Sequence, residues 1–117
     1  MRQASIVFLL CALLSACTDS SGDWRADAIA AAKAKMLNLI NDPAATFTHV
    51  EFTGDNSSGQ TCGVIVTKRG IFTKQARFIV YIDGAGPNVE PGLGSSMSQA
   101  DFDWAWKSEC VNEGYKG

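Results

Sequence analysis

The sequence predicts an α+β domain: an N-terminal helix, a three- to four-stranded antiparallel sheet and a C-terminal helix, closed by one disulfide. Three observations predict it. Apolar residues recur at helical spacing in an alanine-rich stretch before Pro43 and again after Ser98. Between these stretches the period drops towards two, and Gly, Asn and Ser clusters separate short runs rich in Val, Ile, Phe and Thr. Cys62 stands in the alternating region and Cys110 in the second helical one, so a bridge between them would tie sheet to helix.

The chain opens with Met1-Arg2-Gln3, a positive start, followed by an almost unbroken apolar run from Ile6 to Leu14. Two small residues, Ser15 and Ala16, then precede Cys17. A signal protease needs small side chains before its cut, and a thiol at the new terminus can carry a thioether-linked lipid. The run falls short of the roughly 20 apolar residues of a transmembrane helix. An ordinary secretory signal would leave the cysteine at the cut position without a role, and Cys11 is filler within the discarded run.

Leu14-Ser15-Ala16-Cys17 resembles the lipobox of bacterial lipoproteins, in which the cysteine is diacylglyceryl-modified, becomes the first residue and is then N-acylated. The resemblance implies a signal peptide over 1–16, a lipidated tether over 17–23 and a single periplasmic domain over 24–117. Several acyl chains anchor stably, at about 0.8 kcal/mol per buried methylene, where one chain is marginal. In such lipoproteins an aspartate directly after the cysteine favours the inner membrane. Thr18 holds that place here, which points to the outer membrane with a periplasm-facing anchor.

The precursor carries 10 basic and 12 acidic residues for a net charge of −2, and Lys33/Lys35 and Lys68/Arg69 are only short basic pairs. That excludes a nucleic-acid footprint. Of four cysteines, Cys11 leaves with the signal and Cys17 takes lipid, so Cys62 and Cys110 remain as an even pair in an oxidising compartment. A metal site lacks ligands, since His49 is the only histidine and no Cys-x-x-Cys occurs. No cofactor is expected.

Thr18 to Asp23 reads as a flexible tether with a Ser-Ser-Gly centre. Asp23 is the expected N-cap of a helix from Trp24 to about Asn41, with Ile29, Ala32, Met36, Leu37 and Ile40 on one face. Asn41-Asp42-Pro43 stops it, because the residue before proline avoids helical geometry. Thr46–Thr53 has strand composition with imperfect alternation. The cluster from Gly54 to Gly59 is a turn. Thr61–Thr67 places Cys62, Val64 and Val66 opposite Gly63 and Ile65. Lys68-Arg69-Gly70 reads as a second turn, unless Ile71-Phe72-Thr73 prolongs the hairpin. Ala76–Asp83 sets Phe78, Val80 and Ile82 on one face and Arg77, Ile79 and Tyr81 on the other. Short loops between consecutive strands argue for an antiparallel meander. One face of so small a sheet must be covered, and the helices are the available cover.

Gly84–Met97, rich in Gly and Pro, reads as an irregular surface loop. It matches neither a phosphate-binding glycine motif nor the Gly-x-Ser-x-Gly elbow. As a loop without core duty it is a candidate binding edge, and Asn88 and Glu90 within it are candidate contact residues. Ser98 and Asp101 resemble a capping box that opens a helix to about Asn112, ended by Gly114. Phe102, Ala105, Trp106 and Cys110 share its inner face. Trp104 projects about a hundred degrees away from Trp106, either covering the sheet edge or standing exposed as a contact anchor. Trp24 either packs locally or rests at the lipid interface. Asp101 and Asp103 face different ways and make a poor acid–base pair.

The Asp-Pro helix stop, Ala45-Thr46-Phe47, Val50, Cys62-Gly63-Val64 and Arg77-Phe78-Ile79-Val80 together resemble a group of small uncharacterised bacterial and prophage-associated exported proteins. The resemblance covers roughly half of the mature chain and departs at Thr67-Lys68-Arg69-Gly70. It implies the helix–strands–helix order and brings no assigned chemistry.

The expected function is therefore a membrane-anchored, non-catalytic protein-interaction module of the cell envelope, with Trp104, Asn88 and Glu90 as its contact surface. Its partners would be the bilayer, through acylated Cys17, and an envelope or periplasmic protein; inhibition of a periplasmic or phage enzyme is one concrete form. A structural subunit of a multi-protein envelope assembly is the alternative. A small serine hydrolase using Ser95 or Ser96 with His49 is a third.

Overall fold

The computed structural model describes residues 23–69 and 71–117. The expected signal peptide, Cys17 and the expected tether up to residue 22 lie outside the described residues. Helix α1 spans Asp23–Ile40, β1 Thr46–Thr53, β2 Gln60–Arg69, β3 Phe72–Tyr81, β4 Asn88–Val89 and α2 Gln99–Glu109, followed by a 3₁₀ turn at Val111–Glu113. The four strands form one antiparallel sheet in the order β1-β2-β3-β4.

Asp23 stands in the first turn of α1 and not ahead of it as a cap. Its carboxylate there complements the positive helix end. Asn41 ends the helix in the left-handed region at φ 60°, with its N–H donating to Leu37 O at 2.9 Å. Asp42 then turns the chain: its Oδ1 accepts from Ala44 N, and its Oδ2 accepts from the Thr67 hydroxyl of β2.

The imperfect alternation of β1 has a structural cause. Thr48 pairs with Val64 and Glu51 with Cys62, so β1 carries one more residue than β2 across that step. His49, at φ 52°, lies in this bulge. The extra residue inverts the parity of side chains, which lets Phe47 and Val50 both pack on the α1 core.

Helices cover both faces of the sheet, where cover of one face was expected. On one face, Ala32, Met36 and Ile40 of α1 pack on Ile65, Ala76, Phe78, Val80 and Val89. On the other, Phe102, Ala105, Trp106 and Cys110 of the α2 region pack on Cys62 and Ile79. The cause is that β2 and β3 carry large apolar side chains at odd and even positions alike, so each face needs its own layer. Trp24 of α1 packs locally, edge-on against Phe52 at 5.0 Å.

The β2–β3 ladder runs unbroken from Gln60↔Tyr81 to Arg69↔Phe72. The hairpin is thus longer than the apolar alternation marks on either strand. The segment after β3 is also less irregular than expected. Gly86-Pro87 is a cis peptide, and Asn88–Val89 adds a fourth strand against Phe78 and Ile79.

Candidate functional site

The disulfide Cys62–Cys110 joins the start of β2 to the end of α2, with both cysteines fully buried. A buried polar set supports it. The Thr53 hydroxyl donates to Glu109 O at 3.0 Å and accepts from the Gln60 amide at 2.6 Å, and that amide also reaches Glu109 O. These bonds satisfy a carbonyl at the C-terminal end of α2 that the helix itself leaves without a partner. At the other end, the Ser98 hydroxyl accepts from Asp101 N at 3.1 Å, the cap expected from the sequence. Gly114 terminates the following turn at φ 108°.

Arg77 fixes α2 from the middle. Its guanidinium carbon sits 5.1 Å from the ring centres of both Phe102 and Trp106. One guanidinium nitrogen, Nη2, donates at 2.7 Å to Glu90 and at 2.7 Å to Asp103. Gln99 donates to the same two carboxylates, at 2.8 and 3.0 Å. Glu90 Oε1 also accepts the Arg77 backbone N–H, closing the ladder beyond β4. The alternation of β3 sets Arg77 on the Ile79/Tyr81 face but does not reveal this hub. The available signal was a cation at a position where the neighbouring positions of the same face are apolar.

The hydrogen bond from Arg77 brings the Glu90 carboxyl down to about 2 from its ordinary 4.5. Asp103 is also lowered, chiefly by Gln99 and then by Arg77. A carboxylate with a depressed folded-state value stabilises the fold above its unfolded value, and that contribution disappears as pH falls through the folded value. Stability is therefore expected to decline as pH falls from about 4.5 towards 2. After allowance for solvent screening, the Glu90 share is about 1–2 kcal/mol. Urea midpoints across that window should fall less steeply in Arg77→Met than in the wild type.

The three residues read as a contact surface have different surroundings. Trp104 is 72% exposed, on the outer side of α2, in line with exposed Lys107 and Val111. The Asn88 amide donates to the Tyr81 hydroxyl at 3.0 Å, and that hydroxyl donates to the Glu109 carboxylate. Burial and the adjoining Glu109 raise the Tyr81 phenol above its ordinary value. Glu90 is held by Arg77 and Gln99. Asn88 and Glu90 thus have internal duties that support α2, while Trp104 presents its indole to solvent.

The Ser95/Ser96 and His49 pair is not brought together. Ser95 and Ser96 follow β4, whereas His49 lies in β1 at the opposite sheet edge. Three inter-strand steps put those edges about 14 Å apart. The Ser95 hydroxyl accepts from Met97 N at 3.1 Å, and both serines line a depression of about 260 Å³ with Leu39, Ile40 and Leu93. The His49 carbonyl accepts from the Tyr115 hydroxyl at 2.6 Å. Among the described residues, no group of three or more His, Cys, Asp and Glu could hold a metal ion. No helix among them is long and apolar enough to cross a membrane.

Fold and surface together define a disulfide-braced α+β domain that presents an aromatic side chain on an immobilised helix. No family model, curated protein or solved structure matches this chain.

Proposed function

We propose that this protein is a lipoprotein, anchored through Cys17 in the outer membrane, that acts as a non-catalytic interaction module facing the periplasm. One observation carries the binding part: Trp104 stands 72% exposed on a helix held by a disulfide, an arginine hub and a cap. A large aromatic on a rigid support loses little side-chain freedom on contact, and buried tryptophans rank among the strongest interface anchors. The partner is an envelope or periplasmic protein with an apolar recess for the indole, and its rim meets Lys107. Inhibition is the concrete form if that partner is an enzyme.

The anchor rests on the lipobox pattern, and metabolic labelling with radioactive palmitate tests it. Label should appear in the wild type and vanish in Cys17→Ser. The contact is tested by affinity capture from solubilised envelopes. Trp104→Ala should reduce capture of a stoichiometric partner about 30-fold, the scale of a 2 kcal/mol anchor. Because the indole is exposed, the same variant should keep its unfolding free energy within about 0.5 kcal/mol. Unchanged capture would remove Trp104 from the contact.

A further inference from the structure

Besides Trp104 and Val111 near α2 and Leu39 on α1, large apolar side chains meet solvent at the tip of the β2–β3 hairpin. Ile71 is 94% exposed and Phe72 is 65% exposed, side by side at the turn. Lys68 and Lys74 flank them, both exposed, and residues 68–75 contain no acidic residue. The pairing of β1 with β2 stops at Thr46↔Val66, whereas β2 and β3 pair on to Arg69↔Phe72. Thr67 is still buried, with its hydroxyl on Asp42, so the last two residues of β2 project as a two-stranded arm, about 7 Å beyond the body of the sheet. An apolar point with a cationic collar suits the boundary between acyl chains and phosphates, where apolar side chains enter and lysines meet headgroup charge.

The neighbouring backbone argues against the other evident use of such an arm, the addition of a partner's strand. Arg77 pairs with Glu90 on the outer side of β3, so Thr73 and Gln75, two and four residues earlier, also point their N–H and C=O outward. The chain after Pro91 comes back beside Lys74, where Gly92, Leu93 and Gly94 line a shallow hollow with it. Too short a length of edge stays open for a strand to dock. The same outward groups limit the depth of a bilayer contact, because unpaired backbone is costly in hydrocarbon. The side chains of Ile71 and Phe72 enter, and the ladder stays at headgroup level.

We infer that the hairpin tip, through Ile71, Phe72, Lys68 and Lys74, binds the surface of an anionic phospholipid bilayer. The contact itself is independent of lipidation. Where the anchor proposed above is present, it becomes a second point of attachment. Helix α1 is about 27 Å long, and the arm lies at the end of the domain away from Trp24, since Trp24 packs by Phe52 while Thr46 pairs next to the arm. Attachment at both ends lays the domain along the membrane.

The test uses the full chain as the cell exports it, reconstituted into vesicles of phosphatidylcholine alone or mixed with phosphatidylglycerol. Amide hydrogen exchange is followed at residues 71–75. Exchange at Thr73 and Gln75 should slow at least tenfold on the anionic vesicles, stay fast on the neutral ones and recover in high salt. Each lysine should strengthen partitioning about fivefold, so Lys68→Ala/Lys74→Ala should weaken it about 25-fold. Ile71→Ser/Phe72→Ser, with both positions exposed in the wild type, should abolish the slowing without unfolding the domain. Equal exchange on the two vesicles, or slowing that survives Ile71→Ser/Phe72→Ser, would overturn the inference. So would slowing that appears only when solubilised envelope proteins are added, which would assign the tip to a protein partner. Intact mass at Cys17, read on the same sample, separates failure of the anchor from failure of the tip.

Discussion

Replacing both Cys62 and Cys110 by alanine is expected to lower the unfolding free energy by about 4 kcal/mol, from the entropy of the loop the bridge closes. That loop spans 48 residues in sequence, and it includes most of β2 and all of β3, β4 and α2. For a domain of this size such a loss corresponds to a drop in melting temperature of about 20 °C. The α2 face makes the bridge matter more than loop closure alone would. Cys62 and Cys110 lie in the same buried cluster as Ile79, Phe102 and Trp106, so their loss also thins that core. Urea titration of the wild type, the double variant and the reduced wild type measures the effect. A loss below about 1 kcal/mol would mean that packing and the Arg77 hub hold α2 without the bridge.

Phe78→Ala is expected to cost about 3–5 kcal/mol, the range for emptying a fully buried phenylalanine site. Phe78 is fully buried at the centre of β3, edge-on to Phe47 with ring centres 5.8 Å apart. Its ring fills a notch left by Gly63 on β2. A Cβ at Gly63 would lie 3.0 Å from Phe78 Cζ and 2.9 Å from Val50 Cγ2. Gly63→Ala should therefore cost about 1–3 kcal/mol through overpacking. In the double variant Gly63→Ala/Phe78→Leu the new methyl has more room, so the combined loss should be smaller than the sum by about 1 kcal/mol. Strict additivity, measured from urea midpoints and slopes, would show that the two positions do not share the notch.

Much of this core was legible in the sequence because strand and helix periods set side-chain direction. Alternation placed Cys62 opposite Ile65 and Phe78 opposite Ile79, and helical spacing grouped Phe102, Trp106 and Cys110. Those groupings point both cysteines into one sheet–helix core. Ser98 announced its helix because a hydroxyl ahead of an apolar-periodic run satisfies free backbone N–H groups. The bulge at His49 was visible only as broken alternation, since composition does not say where an extra residue is accommodated. Cover of one face was expected; apolar residues at both parities of β2 and β3 are the reason each face takes a helix.

The β2–β3 ladder beyond Thr67 left little trace in the hydrophobic pattern, because backbone pairing in a solvated arm does not require apolar alternation. Strand β4 is two residues long, too short for any period. Asn88 and Glu90 looked free because their partners, Tyr81 and Arg77, are distant in sequence and meet them only through the meander. Trp104 was readable as a residue a hundred degrees off the core stripe, and its exposure came with the helix orientation. The apolar tip at Ile71 and Phe72 read as turn or strand extension, since its exposure depends on how far the hairpin outruns β1.

The most direct measurement of the proposed interaction role is photo-cross-linking in intact cells from a photoreactive residue at Lys107, one helical turn from Trp104. The expected result is one dominant protein adduct of fixed stoichiometry, lost when Trp104→Ala is added and retained in Ile71→Ser/Phe72→Ser. No adduct, or one that persists in Trp104→Ala, would contradict a contact made through the outer face of α2.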